Sequence, residues 1–328
     1  MAVPGQMPPK RVTTADVAKA SGVSRATVSY VLNDVQGRAI SQATKDLVLE
    51  TAQRLGHIPH GPARSLRTGR SNVVLALVRD YTIGYVADRL IEELDRALAA
   101  RGLLLVVHRF EEDQYSLSEL WGMISPDLVV SMGGLSVPAP PDTSPVRLLG
   151  VHGIFPHHRA GQIQIEYLHG RGHRDIGYAA VEKPRVQLVA DDRYEGALKA
   201  AEDLGLPPLR VRALTLGDVD GANAALDDWL DVDDPVTAIC AHNDEMALML
   251  MSALLSRGVQ PGRDIAVIGV DNIPIARMNV TTVEINIDAY TAVIVDRVMR
   301  VVDGERPEAH PGPIDNPDLL RLIVRESA

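Results

Sequence analysis

Near the start of the chain, apolar positions recur at helical spacing. Val17, Ala18 and Ala20 share one face of a short segment that Thr13 and Thr14 can cap. Beyond Gly22, Ser24 opens a second segment, from about Arg25 to Leu32, whose Val28, Val31 and Leu32 fall on one side. The pattern predicts two short helices around a sharp reversal, where glycine supplies the backbone freedom. A third helix is predicted from Ser41, with Leu47, Val48, Ala52 and Leu55 as its apolar face and Gly56 as its stop. Arg25, Ala26, Ser29 and Tyr30 are left on the outer face of the second helix. A short helix that exposes hydroxyls, an arginine and a tyrosine near its start suits the reading of a DNA major groove.

From Val73 the pattern changes. Short apolar runs predict strands over Val73–Val78, Leu103–Val107, Leu128–Ser131, Arg147–Val151, Ile176–Ala180, Arg210–Thr215, Ala238–Ala241 and Ile265–Val270. Between them, helices are predicted over Tyr85–Arg101, Gly161–Gly170, Tyr194–Leu204, Ala222–Leu230, Asp244–Arg257 and Ala289–Val302. Such alternation implies an α/β body with doubly wound parallel sheets. About 256 residues exceed what one such core usually holds, so two lobes are expected. Ligands of these folds sit beyond the carboxyl ends of the strands, here in the cleft between lobes.

Charge adds a direction. The whole chain carries 33 Lys and Arg against 43 Asp and Glu, net −10. Its first 72 residues hold ten basic and four acidic side chains, net +6, which leaves −16 for the remainder. A basic head on an acidic body points phosphates at the head and keeps the body off nonspecific DNA. The single Cys240 forms no internal disulfide and suits a cytoplasmic protein. The chain shows neither a signal peptide nor an apolar run long enough to span a membrane.

The stretch Val12–Asn33, VTTADVAKASGVSRATVSYVLN, resembles the helix-turn-helix of the lactose/galactose-repressor (LacI/GalR) family of bacterial transcription factors. Ala63-Arg64-Ser65-Leu66 resembles that family's hinge helix, which enters the minor groove, with Leu66 at the position of the wedging leucine. Arg64, Arg67 and Arg70 can neutralise phosphates there, although Gly61-Pro62 is stiffer than the family's usual sequence. The resemblance continues more loosely through Gly172-His173-Arg174, ADDRYEGAL around Arg193, TAICAHNDEMAL at residues 237–248, IAVIGVDN at residues 265–272 and the terminal LLRLIVRESA. The implied organisation is a disordered arm over residues 1–11, a three-helix headpiece over 12–56 and a hinge over 57–72. Residues 73–328 form a two-lobed, periplasmic-binding-protein-like body that binds an effector and dimerises.

The resemblance implies roles residue by residue. Arg25, Ala26 and Tyr30 read bases, while Thr13, Ser24, Thr27, Ser29 and Asn33 contact phosphates and set register. Ala63, Arg64 and Leu66 occupy the minor groove. Asp80, Tyr81, Arg193, Asn243 and Asp271 are the expected effector ligands, with Tyr85 also near the cleft. Asn243 serves equally as the cap of the following helix, and Arg193 is equally compatible with a surface position. Asp271 stands out, because an acid that ends an apolar strand needs a partner. Three departures mark the pocket: Gly217-Asp218-Val219 lacks the family's aromatic residue, Leu149-Gly150-Val151 lacks its aspartate, and His157 stands where an acid is usual.

No P-loop, GxGxxG fingerprint, nucleophile elbow or metal-ligand spacing occurs, so no catalytic set and no cofactor are expected. The sequence therefore predicts a non-enzymatic, sequence-specific DNA-binding regulator. A homodimer would act as a repressor on a near-palindromic operator, controlled by a small molecule held between the lobes.

Overall fold

A computed structural model describes residues 12–33, 39–57, 69–78, 84–110, 116–132, 146–182, 187–307, 314 and 316–328. The chain divides into two compact units, Met1–Ser71 and Asn72–Ala328.

The first unit contains α1 (Thr14–Ser21), α2 (Arg25–Leu32) and α3 (Gln42–Leu55). Each has the cap that its sequence calls for. Thr13 and Asp16 form a reciprocal capping box on α1, and Ser24 and Ser41 cap α2 and α3. Gly22 closes α1 in the left-handed region at φ 69°, which turns the chain towards α2. The core is small: Val17, Ala18, Val28, Val48 and Ala52, with Val31, Leu32 and Leu55 packed at its edge. Two expectations fail here. Ala20 is exposed, and Leu47 lies on the outer face of α3, where Thr51 takes the inward position instead. The residue that points inward is fixed by the crossing of α1 over α3, which helical spacing alone does not report.

The second unit holds two sheets. Strands β1 (Val73–Val78), β2 (Leu104–Arg109), β3 (Leu128–Ser131) and β4 (Arg147–Gly150) build the first, all parallel, in the order β2-β1-β3-β4. Its two faces follow from strict alternation along β1. Val74, Ala76 and Val78 face α4 (Tyr85–Ala99), while Leu75 and Leu77 face α5 (Leu117–Ile124). The second sheet contains β5 (Ile176–Val181), β6 (Arg210–Leu214), β7 (Ala238–Ala241), β8 (Ala266–Val270), β9 (Thr281–Ile285) and β10 (Leu320–Ile323). Their order is β10-β9-β8-β7-β5-β6, parallel except for the antiparallel edge strand β10. Helices α6 (His157–Gly170) and α7 (Gln187–Asp203) cover the Tyr178 and Cys240 face. Helices α8 (Val219–Leu230) and α9 (Asp244–Ser256) cover the Ala179 and Ile239 face. The doubly wound expectation thus holds, with one antiparallel strand added.

Three segments pass between the sheets. One runs from β4 through Ile154 and Phe155 into α6. The second runs from β9 into α10 (Ile287–Val302), which packs on the first sheet, and the third precedes β10. They bond to one another: Ile314 N–H donates to Ile154 O at 3.0 Å, and Asn286 N–H donates to Leu319 O at 3.0 Å. Tyr290 O–H adds a bond to Val151 O at 3.1 Å.

Three helices begin earlier than their apolar period predicts, at His157, Gln187 and Val219. Their first turns are rich in polar residues, such as His157, His158 and Arg159, or Asp191, Asp192 and Arg193, which hide the period. Helix α5 and strand β9 were not predicted at all. Strand β9 opens with Thr281 and Thr282, both fully buried because their hydroxyls find partners in other elements.

Candidate DNA-reading face and interlobe cavity

On the head, packing of Val28 beneath α2 leaves Ser24, Arg25 and Ala26 exposed, while Thr27, Ser29, Tyr30 and Asn33 are half-buried. Several of the expected DNA contacts already carry structural bonds. Ser24 Oγ accepts from Thr27 N–H at 3.1 Å and shares a hydrogen bond with the Thr27 hydroxyl at 2.9 Å. Asn33 Nδ2 donates to Ser29 O at 2.7 Å, and Asp16 Oδ2 accepts the Thr13 N–H at 2.8 Å. Arg25 and Ala26 are the side chains at the helix start free of such duty in the hydrogen-bond pattern of α2. The expected minor-groove residues Ala63, Arg64 and Leu66 lie outside the described residues, as do Asp80, Tyr81 and the arm over residues 1–11.

In the body, a cavity of about 790 Å³ opens between the lobes. The first lobe contributes Tyr85 and Arg89 at the start of α4. The second contributes Asp271, Asn272, Arg277 and Glu284, and the crossing segments add Asp288 and Asp318. Of the residues expected from sequence, Asp271 and Tyr85 line this cavity.

Arg193, just outside the helix predicted over Tyr194–Leu204, lies inside α7 and is buried, not at a surface position. It stands behind Asp271: Nη2 donates to Asp271 Oδ1 at 2.7 Å and Nη1 donates to His242 O at 2.9 Å. Asn243 caps α9, its Oδ1 accepting from Met246 N–H at 2.9 Å. Asp271 and Asn272 both adopt left-handed backbone, at φ 108° and 52°, which non-glycine residues enter only when their surroundings hold them there. Those surroundings are explicit. Asn272 Nδ2 donates to Glu284 Oε1 at 2.6 Å, Arg325 Nη2 donates to Asn272 Oδ1 at 2.8 Å, and Arg321 pairs with Glu284 at 2.6 Å.

The buried groups behind the cavity are strongly perturbed. Burial raises Asp271 above the usual carboxylate range, and the Arg193 guanidinium opposes that rise. Burial pushes Asp244 up to about 7, although Thr282 Oγ1–H and Ile273 N–H donate to its carboxylate at 2.6 and 2.9 Å. Burial, with the Arg193 charge added, holds His242 down to about 3.

At the three positions of departure, Gly150 ends β4, His157 begins α6 and Val219 begins α8, exposed beside Asp218, which caps that helix. No group of three or more His, Cys, Asp or Glu that could hold a metal ion occurs among the described residues. Arg277, Glu284 and Arg321 were not read from the sequence as site residues. The one available signal was position: Arg277 follows Asp271 in the loop beyond an apolar strand, where ligands of such sheets collect.

Comparison with known proteins gives a consistent picture. Residues 13–60 match the model for bacterial regulatory proteins of the lacI family, and residues 165–328 match that for a periplasmic binding protein-like domain. The HTH-type transcriptional repressor PurR of Pasteurella multocida (strain Pm70) is 30% identical over 295 residues, which cover 81% of this chain and 83% of that protein. The HTH-type transcriptional regulator GalS of Salmonella typhimurium is 28% identical over 286 residues, 81% of this chain and 82% of that protein. Among solved structures, the lac repressor dimer bound to operator and the anti-inducer ONPF superposes with a TM-score of 0.75 at 20% identity, covering 97% of this chain and 99% of that one. A complex of the transcriptional regulator CelR with cellobiose gives 0.61 at 22% identity, covering 97% of this chain and all of that one, 100%.

Proposed function

The chain belongs to the LacI family of bacterial regulatory proteins, and from that premise we propose that it is a dimeric repressor whose grip on a near-palindromic operator is set by a small molecule in the interlobe cavity. It is a DNA-binding transcriptional regulator and not an enzyme. The observation that carries the reading is the α2 face: Val28 anchors the helix while Arg25 and Ala26 project from its first turn. In the proposed complex Arg25 reads a base edge, with guanine O6 and N7 as the best-fitting pair of acceptors. Ala26 touches a thymine methyl and Tyr30 reaches a base or phosphate. Thr13, Ser24, Thr27, Ser29 and Asn33 fix register on the backbone. Ala63, Arg64 and Leu66 enter the minor groove.

The surface proposed to meet a second copy of the chain lies on the second lobe. The turn at Pro274–Met278 exposes Ile275 by 60% and Met278 by 82%, and Leu255 is exposed near the end of α9. A contact surface between copies needs such apolar residues to form a continuous patch, and the proposed patch is built on this turn. As a reader of chromosomal DNA, the protein works in the cytoplasm. No described helix is long and apolar enough to cross a membrane.

Control would pass through lobe closure. Asp271, Tyr81 and Asp80 are the proposed cavity contacts to the effector, with Arg193 and Asn243 holding the wall behind them. The effector shifts the operator-bound state only by its differential affinity for the two lobe angles. Footprinting on the DNA upstream of the protein's own reading frame tests the proposal. A protected palindrome whose occupancy changes with ligand is expected; no protection in any ligand state would sink it.

A further inference from the structure

Among the described residues, four of the charged groups that line the cavity are already paired. Asp271 is taken by Arg193 at 2.7 Å, and Glu284 by Arg321 at 2.6 Å. Arg89 is held by Glu92 and Glu93 of its own helix at 2.6 and 2.8 Å. Arg277 differs. It is exposed, and its two hydrogen bonds sit at the long limit: Nη2 to Tyr85 Oη at 3.4 Å and Nε to Asn272 O at 3.5 Å. Neither partner is charged, and among the described residues no carboxylate pairs with it. A guanidinium presents a planar fork of donors that fits carboxylate and phosphate oxygens far better than a phenol.

The position of Arg277 matters as much as its charge. Tyr85 belongs to the first lobe and Arg277 to the second, so their contact spans the cavity. An anionic group at this point could take the guanidinium fork from one lobe and the Tyr85 hydroxyl from the other. Asp288 and Asp318 also line the cavity and repel an anion set against them, so an anionic group is held there only by contact with the guanidinium.

Resting on the reading of this cavity as the effector site, we infer that the effector is an anion, carrying a carboxylate or phosphate that docks on Arg277 and Tyr85 and joins the lobes there. The ligand is then a sugar phosphate, a sugar acid or a comparable small acid, and not a neutral sugar.

The test uses the full chain and a fixed panel: glucose 6-phosphate, ribose 5-phosphate, gluconate, citrate, inorganic phosphate, glucose and glucosamine. Thermal shift and calorimetry are run on the wild type, Arg277→Gln and Arg277→Lys. At least one anion is expected to bind, with affinity falling about tenfold or more in Arg277→Gln and partly restored in Arg277→Lys. Phosphates ahead of gluconate and citrate identify a phosphate ester, and the reverse order a carboxylate. Arg277 is exposed, so the unliganded variant should melt with the wild type, which separates lost binding from lost folding. Binding by no anion in the panel, or anion binding unchanged in Arg277→Gln, overturns the inference. So does a neutral sugar that alters operator affinity equally in wild type and Arg277→Gln, although the effector-site reading then survives. Arg277-dependent anion binding that leaves operator affinity untouched does the opposite: the anion site stands and the effector-site reading falls.

Discussion

Arg193 Nη2 stands 2.7 Å from Asp271 Oδ1, and the two side chains retain only 5% and 15% of their exposure. The pair joins the middle of α7 to the end of β8, and Arg193 also binds the His242 carbonyl beside β7. Removing one partner of a buried pair strands the other charge, at a cost of about 3–5 kcal/mol. Arg193→Met is therefore expected to lose stability on that scale in urea at neutral pH. The Arg193→Met/Asp271→Asn double variant should lose less than the sum of the two single variants. Strictly additive losses would mean that the two side chains are not coupled.

Asp271 was legible because an acid closing the apolar run IAVIGV has no comfortable solitary state. The head was legible for a similar reason: each cap, turn and apolar position there acts over three or four residues. Arg193 was found by resemblance but placed outside a helix, since Asp191-Asp192-Arg193 reads as a polar loop until its partner across the sheet is known. Helix α5 did carry a local signal, the capping box of Ser116 and Glu119. Strand β9 carried one too, the β-branched run Thr281-Thr282-Val283 with Val283 and Ile285 alternating with Glu284 and Asn286. What that run does not encode is the burial of Thr282, which rests on its bond to Asp244, a residue 38 positions earlier. The cavity was least legible. Arg277 and Tyr85 meet across a sequence separation of 192, which no local pattern encodes.

Arg193 owes its position to two glycines. A Cβ on Gly161 would overlap the Arg193 carbonyl, and one on Gly196 would overlap the His158 carbonyl, so α6 and α7 meet backbone to backbone. Overpacking costs about 1–3 kcal/mol where side chains can yield, and here the backbone must move. Gly161→Ala is expected at or above the top of that range by chemical denaturation, with effector response weakened as Arg193 shifts. Gly170→Ala, at the end of α6 with open space around it, is the control and should be neutral or gain up to about 1 kcal/mol. Equal effects at the two sites would rule out the close approach as the cause.

His242 and Asp244 flank Asn243 and respond to pH in opposite senses. His242 falls from 6.5 to about 3 on folding, so between those values the unfolded chain holds a proton that the folded chain lacks, and stability is lost as pH falls. Asp244 rises from 3.8 to about 7, so there the folded chain holds the extra proton, and stability is lost as pH rises. The windows overlap, and the wild type should vary little in stability from these two groups between about pH 4 and 6.5. Asp244→Asn should unmask a stability that rises with pH across that window, and His242→Gln one that falls, each by roughly 3 kcal/mol. Urea midpoints measured in half-unit pH steps check this; parallel profiles for the two variants would refute the assignment.

Arg25 projects from the first turn of α2, and its neighbour Ser24 is tied to Thr27 by the cap. The cap fixes where the helix starts and hence where the guanidinium points. A bidentate arginine–guanine contact is worth about 1–3 kcal/mol of discrimination. Arg25→Ala should therefore weaken operator binding by that amount and relax preference at one base position in each half-site, with thermal stability unchanged because the side chain is exposed. Lys19, exposed at the end of α1, offers the contrast. Its replacement by Ala should weaken all sequences alike and flatten the salt dependence if it meets phosphate. Fluorescence anisotropy on an operator library at two salt concentrations separates the two behaviours. An Arg25→Ala protein that keeps its full base preference while losing affinity would move Arg25 from the base edge to the phosphate backbone.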